Sequence, residues 1–256
     1  KKHGAWRRRV ERAVTASREE ARRQAEEPAD PINPQRVFRS LSEQLPDDAI
    51  LCGDSGSHTN WYARDIRMRP GMLGSLSGKL ATMGSGVPYA IAAKLAYPQR
   101  PVVAMVGDGA MQMNGNAELV TVQQYWQRWD SPTFIVLVLN NGDLNQVTWE
   151  QRALAGDPEF SPAQEVIDFP YARYADMLGF KGIRVDRPED IDAAWAEAFA
   201  ADRPVLLEVV TDPNVPPLPP HISFEQAKHL LGAMLQDDPK RWGVIRQSAR
   251  QVLARH

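Results

Sequence analysis

Residues 102–141 read VVAMVGDGAMQMNGNAELVTVQQYWQRWDSPTFIVLVLNN. The apolar runs 102–106 and 134–139 flank a segment whose 118–129 portion reads as a helix. Neither run alternates apolar with polar side chains, so neither has a wet face. Strands of that kind belong to a parallel sheet covered by helices on both sides. An intervening helix is the crossover that parallel neighbours need. The runs end in Gly107-Asp108-Gly109-Ala110 and Asn140-Asn141-Gly142-Asp143. In parallel sheets ligands gather at the carboxyl ends of the strands, so these two ends are the first place to look for chemistry.

The same alternation continues outward. Residues 37–45 read as a helix and 49–52 as a short apolar strand. Residues 86–97 read as a buried helix, with Pro88 in its first turn, where a missing N–H costs nothing, and Pro98 beyond its end. Downstream, 171–178 and 191–200 read as helices, and 183–185 and 205–210 as strands. The expected fold class is therefore α/β, a three-layer arrangement of one parallel sheet with helices on both faces. This domain is placed at 34–212. Residues 1–33 are read as a helix and linker arriving from a preceding domain, and Pro28, Pro31 and Pro34 stop that helix. Residues 213–256 are read as a proline-rich connector and a C-terminal helical tail. Phe224, Ala227, Leu230, Leu231, Met234 and Leu235 repeat there at helical spacing, as do Trp242, Ile245, Ala249 and Val252.

Composition bounds the function classes. The 256 residues are 43% hydrophobic and 24% charged, enough apolar content for a sizeable core and too much for global disorder. Thirty basic against 32 acidic side chains give a net charge of −2, with no general pull toward nucleic acid or anionic membrane. Residues 1–23 are basic, with nine Lys/Arg against three Glu, but only Trp6 could stack on a base, so nucleic acid is not an expected partner. The single Cys52 forms no internal disulfide and is expected as a buried strand thiol in a reducing, cytoplasmic setting. No apolar run is long enough to span a bilayer. The chain opens on Lys1, and the expectation is that it is the carboxy-terminal piece of a longer protein.

Asp108 and Asn141 offer hard oxygen donors suited to Mg²⁺, which is usually completed by phosphate and water oxygens. Glycines beside Asp108 let the N–H groups of Gly109 and Ala110 approach a phosphate; ordinary Asp-Gly and Asn-Gly turns are the competing reading. Gly84-Ser85-Gly86 fails as a dinucleotide loop, because Tyr89 stands where a glycine is needed and no apolar strand precedes it.

The run from the strand-terminal Gly-Asp-Gly through a helix to the strand-terminal Asn-Asn resembles the cofactor-anchoring motif of the thiamine diphosphate-dependent enzymes. Its Asp108-to-Asn141 spacing is longer than is usual there, and the excess is assigned to YWQRWDSP, read as a surface elbow. The resemblance covers nearly all of 34–210. KLATMGSGVPYAIAAKLAYPQRPVVAMVGDG resembles pyruvate oxidases, GDSGSHTNW and LGFKGIRV resemble acetolactate synthases, and PPHISFEQAK resembles the tail of quinone-linked pyruvate dehydrogenases.

The resemblance implies the family's thiamine diphosphate-binding fold and a set of roles. Asp108, Asn141 and the main-chain carbonyl of Asp143 would hold Mg²⁺, and Ser55, Gly56, Ser57 and His58 would meet the diphosphate, with Gly107, Gly109 and Ala110 beside it. Met83 would wedge the cofactor into its bent form, and the Ala81 carbonyl would accept from its amino group. Glu150 would stand near the substrate, with an exposed helical position as the equal alternative. Asn145 occupies a place where glycine is usual. The remaining histidines, His3, His221, His229 and His256, lack metal-ligand spacing and are expected in solvent.

The implied activity is decarboxylation of a pyruvate-like 2-oxo acid with oxidation of the enamine left behind. The alternatives are an acetolactate synthase-like carboligation and, more distantly, a non-catalytic diphosphate-binding module. A separate N-terminal domain holding the cofactor's pyrimidine ring, a middle domain carrying FAD, and a homodimer or homotetramer are implied as partners. The isolated chain is then expected to bind the cofactor weakly and turn over little. Contact of the C-terminal tail with a membrane surface is the minority reading of its stripes, packing the favoured one.

Overall fold

The computed structural model of the chain describes residues 3–217 and 223–254. Its centre is a six-stranded, all-parallel sheet: β1 (Ile50–Gly53), β2 (Leu73–Leu76), β3 (Val102–Gly107), β4 (Phe134–Asn140), β5 (Lys181–Val185) and β6 (Val205–Val210), in the order β2-β1-β3-β4-β6-β5. The α/β expectation is met, and the reason is visible residue by residue. Leu51, Val103, Met105, Ile135, Leu137, Leu139, Leu207 and Val209 face the helices Pro34–Gln44, His58–Asp65 and Ile191–Phe199. The alternate positions Ile50, Cys52, Val102, Ala104, Val106, Phe134, Val136, Val138 and Leu206 face Gly86–Ala96, Asn116–Tyr125 and Tyr171–Met177. Period-2 alternation thus sorts apolar side chains into two cores rather than into core and solvent. Cys52 is buried in β1, and burial pushes its thiol up to about 12.

After β1 the chain runs outward to the edge strand β2 and then returns to the other side of β1 as β3. Crevices form where the winding of a parallel sheet reverses in this way. The register places Gly53 opposite Met105 and Gly107 opposite Leu139, so the loops leaving β1, β3 and β4 emerge side by side.

Four details differ from the sequence reading. β2 precedes the Gly84-Ser85-Gly86 loop; its four residues are exposed at the sheet edge, so no buried apolar run announced it. The helix after β3 begins at Asp108 and continues through a π-helical turn at Met111–Gly115, ten residues earlier than expected. Trp129 in the supposed surface elbow is buried, its ring 5.2 Å from that of Phe134. In the last helix, Arg241–Leu253, the stripe Trp242, Ile245, Ala249 and Val252 faces outward, while Val244, Gln247 and Gln251 face the protein. The glutamines win the inner face because they reach fixed polar partners: Gln247 donates to Asp212 Oδ2 (2.9 Å), and Gln251 exchanges bonds with Gln24 (both 3.2 Å) and accepts from Gln35 Nε2 (3.0 Å).

The helix His3–Glu26 is exposed over most of its length and docks only near its end, through Ala21, Gln24 and Ala25. Among the described residues no helix is long and apolar enough to cross a membrane. His221, His256 and the PPHI portion of the tail motif lie outside the described residues.

Lys94, on the buried helix, has no exposed surface. Its ammonium donates to the carbonyls of Arg100 (2.6 Å) and Thr133 (3.3 Å), with nearby Asp130 only partly offsetting the burial that holds its pKa down at about 8. Above that value the folded chain sheds a proton that the unfolded chain keeps up to about 10.5. The unfolded state therefore binds more protons across this window, and stability rises with pH there. In urea unfolding between pH 7.5 and 10, wild type should gain stability relative to Lys94→Met as pH rises; a constant difference would remove this account of Lys94.

Candidate functional site

Three loop ends border a cleft at the carboxyl edge of β1, β3 and β4. Of the residues expected at a site, Ser55, Gly56, Ser57, His58, Met83, Gly107, Asp108, Gly109, Ala110, Asn141 and Asp143 line it. Two are placed elsewhere. Ala81 lies on an exposed loop with a left-handed backbone (φ 47°), uncommon for a residue with a Cβ. Glu150 is exposed, and its carboxylate accepts from Gln146 Nε2 at 2.8 Å. It is Gln146, one helical turn earlier, that reaches the wall of the cleft, tethered by Asn60 Nδ2 at 2.8 Å.

Asp108 sits at the floor. Its Oδ2 accepts the backbone N–H groups of Asn141 (2.9 Å) and Gly142 (2.6 Å), and its Oδ1 that of Gly109 (2.8 Å). The carboxylate of one strand end thereby fixes the path of the next. Burial pushes Asp108 up to about 6, against the pull of those three N–H groups. The Asp108 carbonyl in turn accepts from the buried Tyr171 hydroxyl at 3.1 Å. Asn140, the first of the asparagine pair, is turned away from the cleft and donates to Glu208 (3.0 Å) and Asp168 (3.1 Å), while Asn141 lines it.

Asp143 divides its two ends between two environments. Its side chain is sealed from solvent, with Oδ1 accepting from Thr148 Oγ1 at 2.6 Å and Oδ2 facing Lys240 and Asn145. Burial raises its pKa above the ordinary carboxylate range. Asn145, found where glycine was expected, donates to the carbonyl of Pro213 at 2.8 Å and so ties this loop to the connector.

Two helices start at the cleft, His58–Asp65 and the run beginning at Asp108, and helix starts present free N–H groups and partial positive charge to an anion. Close approach depends on two glycines. Gly56 has φ 148°, and a Cβ on Gly109 would meet Leu144 Cδ2 at 2.6 Å and the Met83 methyl at 3.4 Å. His58 is buried and its Nε2 has no hydrogen-bond partner; burial lowers its pKa despite the neighbouring Asp54, so the imidazole is neutral at pH 7. An unpartnered buried nitrogen at a cleft wall is costly unless a ligand meets it.

Asp54 is the site residue that sequence reading missed. It is buried, and it accepts from Ser55 N (2.7 Å) and Gly84 N (2.9 Å) on Oδ1 and from Gly86 N (2.6 Å) on Oδ2. It pins the loop carrying Met83 to the end of β1, as Asp108 pins the asparagine loop to the end of β3. A charged residue directly after an apolar strand was the available signal. Replacing it by Ala would orphan two buried N–H groups of the Met83 loop, so Asp54→Ala should cost about 3 kcal/mol in urea unfolding. Asp54→Asn, which keeps one acceptor, should cost less; equal losses would refute this role.

Residues 54–209 match the family described as thiamine pyrophosphate enzyme, C-terminal TPP binding domain. The chain is similar to YdaP of Bacillus subtilis (strain 168), a protein named for containing thiamine pyrophosphate: 37% identity over 207 residues, covering 81% of this chain and 34% of that protein. It is 29% identical over 229 residues to the acetolactate synthase large subunit of Lactococcus lactis subsp. lactis (strain IL1403), covering 89% of this chain and 38% of that one. It is 33% identical over 197 residues to the mitochondrial acetolactate synthase catalytic subunit of Saccharomyces cerevisiae (strain ATCC 204508 / S288c), covering 76% and 28%. The chain spans about a third of the length of these curated relatives. With its cleft at the ends of three parallel strands and the Gly-Asp-Gly and Asn-Asn loops meeting there, the chain belongs to the thiamine pyrophosphate-dependent enzymes and carries their C-terminal cofactor-binding domain.

Proposed function

We propose that the cleft holds the diphosphate of thiamine diphosphate together with Mg²⁺, as part of an enzyme that decarboxylates a pyruvate-like 2-oxo acid. One observation carries the metal. Among the described residues the cleft is lined by no lysine or arginine, and the Asp108 carboxylate lies at its floor. A diphosphate entering it needs a cation to offset its own charge and that of Asp108. Nor do the described residues contain a cluster of three His, Cys, Asp or Glu able to hold a metal by itself. That fits an ion which shares its shell with phosphate oxygens and water, the habit of Mg²⁺.

The roles of the chain's own groups follow. The Asp108 carboxylate, the Asn141 side chain and the Asp143 carbonyl are the oxygen donors for the cation. The N–H groups of His58 and Ala110, at the two helix starts, bind phosphate oxygens, with Gly109, whose own N–H is held by Asp108, allowing close approach, and with Ser55, Ser57 and His58 Nε2 as further partners. Met83, Leu139, Leu144 and Val147 form the apolar part of the wall and keep water from the reacting end. Bound there, the cofactor supplies the carbanion chemistry, which no side chain of this chain could supply. The pyrimidine-binding domain, the assembly and any flavin belong to the same proposal and have no counterpart among these residues.

Two continuations of the reaction are carried by different observations. Transfer to a second 2-oxo acid is supported by the two relatives named as acetolactate synthases. Oxidation is supported by the sequence resemblance of residues 79–109 to pyruvate oxidases. Product analysis on pyruvate separates them: acetolactate formed without an added electron acceptor selects carboligation, and acceptor-dependent release of CO₂ selects oxidation.

Titration calorimetry tests the site itself. Wild type should bind thiamine diphosphate only when Mg²⁺ is present, and Asp108→Ala should lower that affinity by about a hundredfold or more, the upper range for lost metal-site groups. Unchanged affinity would overturn the metal assignment.

A further inference from the structure

A sealed group of charges lies behind the 141–145 loop, on the side away from the cleft. The side chains of Asp143, Glu159, Asp238 and Arg152 have no exposed surface. Arg152 spends its fork on two of the acids, Nε and Nη2 on Asp238 (2.8 and 2.9 Å) and Nη2 on Glu159 Oε2 (2.9 Å). Asp143 is left to Lys240, the residue directly before the last helix. Its ammonium stands 3.0 Å from Glu159 Oε1 and 3.6 Å from Asp143 Oδ2. Among the described residues no other cation lies within ion-pair distance of Asp143.

We propose that Lys240 is a positioning residue for the cofactor site, acting from the C-terminal segment through the side chain of Asp143 on the main chain that lines the cleft. The proposal rests on the reading of that cleft as a metal-diphosphate site. The physical case is one of leverage. The loop turns sharply at Gly142 (φ 67°), and Asp143 follows at once with its carboxylate locked among Thr148, Asn145 and Lys240. Its carbonyl, one of the expected cation donors, is on the same residue, so its place is set by what holds the side chain. Without Lys240, three sealed carboxylates would share one arginine. The mutual repulsion of Asp143 and Glu159 would be relieved most readily by movement of the loop, whose other flank opens on the cleft.

The cluster also gives the C-terminal helices a task. The helix Phe224–Leu235 packs on residues 151–156, where Gln236 Nε2 donates to the Gly156 carbonyl at 3.1 Å and Met234 and Val244 join Trp149 in a small core. Asp238 accepts from Glu159 N at 2.9 Å. Lys240 is thus carried on a framework anchored to residues 149–159.

The test uses the 256-residue chain, thiamine diphosphate and Mg²⁺, with calorimetric affinity and thermal unfolding read in parallel. Lys240→Met should weaken Mg²⁺-dependent cofactor affinity by about tenfold, the usual scale for a lost partner of a metal ligand. Lys240→Arg, which keeps the charge, should stay within about threefold of wild type on the same scale. Arg241→Ala removes an exposed pair with Asp237 in the same turn and should leave affinity unchanged, so that loosening of the helix alone is controlled. If Lys240→Met does not fold, Lys240→Gln makes the same comparison. Wild-type binding with unchanged affinity in the neutral variants, or equal losses in Lys240→Arg and Lys240→Met, would overturn the role of Lys240 alone. Failure of wild type to bind in the presence of Mg²⁺ would overturn the reading of the cleft and this inference with it.

Discussion

The buried carboxylate of Asp108 and the three backbone N–H groups it accepts hold the site together. A carboxylate placed under a sheet edge pays heavily for lost water unless donors surround it. Here two of those three donors are the main chain of the adjacent strand's loop, so satisfying the charge and shaping that loop are one event. The parallel register makes this possible by bringing Gly107, the last residue of β3, opposite Leu139, one residue short of the end of β4. Slipping either strand by a residue would exchange the side chains sent to the two cores and separate Asp108 from the N–H groups it needs.

Asp54 repeats the device one strand away. Two aspartates, each just past the end of a buried strand, grip the backbone of loops that arrive from elsewhere: 84–86 for Asp54 and 141–142 for Asp108. Between them they set the two walls of the cleft, the Met83 wall and the asparagine wall. Of the sheet's own side chains only Leu139 lines the cleft. The sheet contributes rigidity and a common edge, which is why a site made of loops can be held to within hydrogen-bonding tolerance.

The C-terminal helices belong to the same mechanical system. They bury few apolar side chains and join the domain largely through polar anchors: Gln247 on Asp212, Gln251 on Gln24 and Gln35, Asp238 and Lys240 in the sealed charge cluster. That preference explains why Trp242, Ile245 and Val252 point outward. Helical spacing identifies a stripe but not which side of the helix the rest of the protein will occupy, and here directed hydrogen bonds outweighed non-directional burial.

Much was legible from the residues alone. Uninterrupted apolar runs of five and six residues, separated by a helical segment, already required a parallel sheet with two covered faces, because only that arrangement removes both sides of a strand from water. The Gly-Asp-Gly and Asn-Asn ends were recognisable because they are local: neighbours along the chain, fixed by one strand end each. What the sequence left open depends on distances between residues far apart in it. That Asn140 turns from the cleft and Asn141 toward it, that Asp54 clamps residues thirty and more positions away, that Glu150 faces solvent while Gln146 faces the cleft, and that Lys240 meets Asp143 were settled by register, burial and helix placement. Local periodicity and conformational preference determined the elements and marked the ends where chemistry would gather. Only tertiary packing decided which atoms meet there, since partner and direction are properties of a hydrogen bond or ion pair that adjacent residues do not encode.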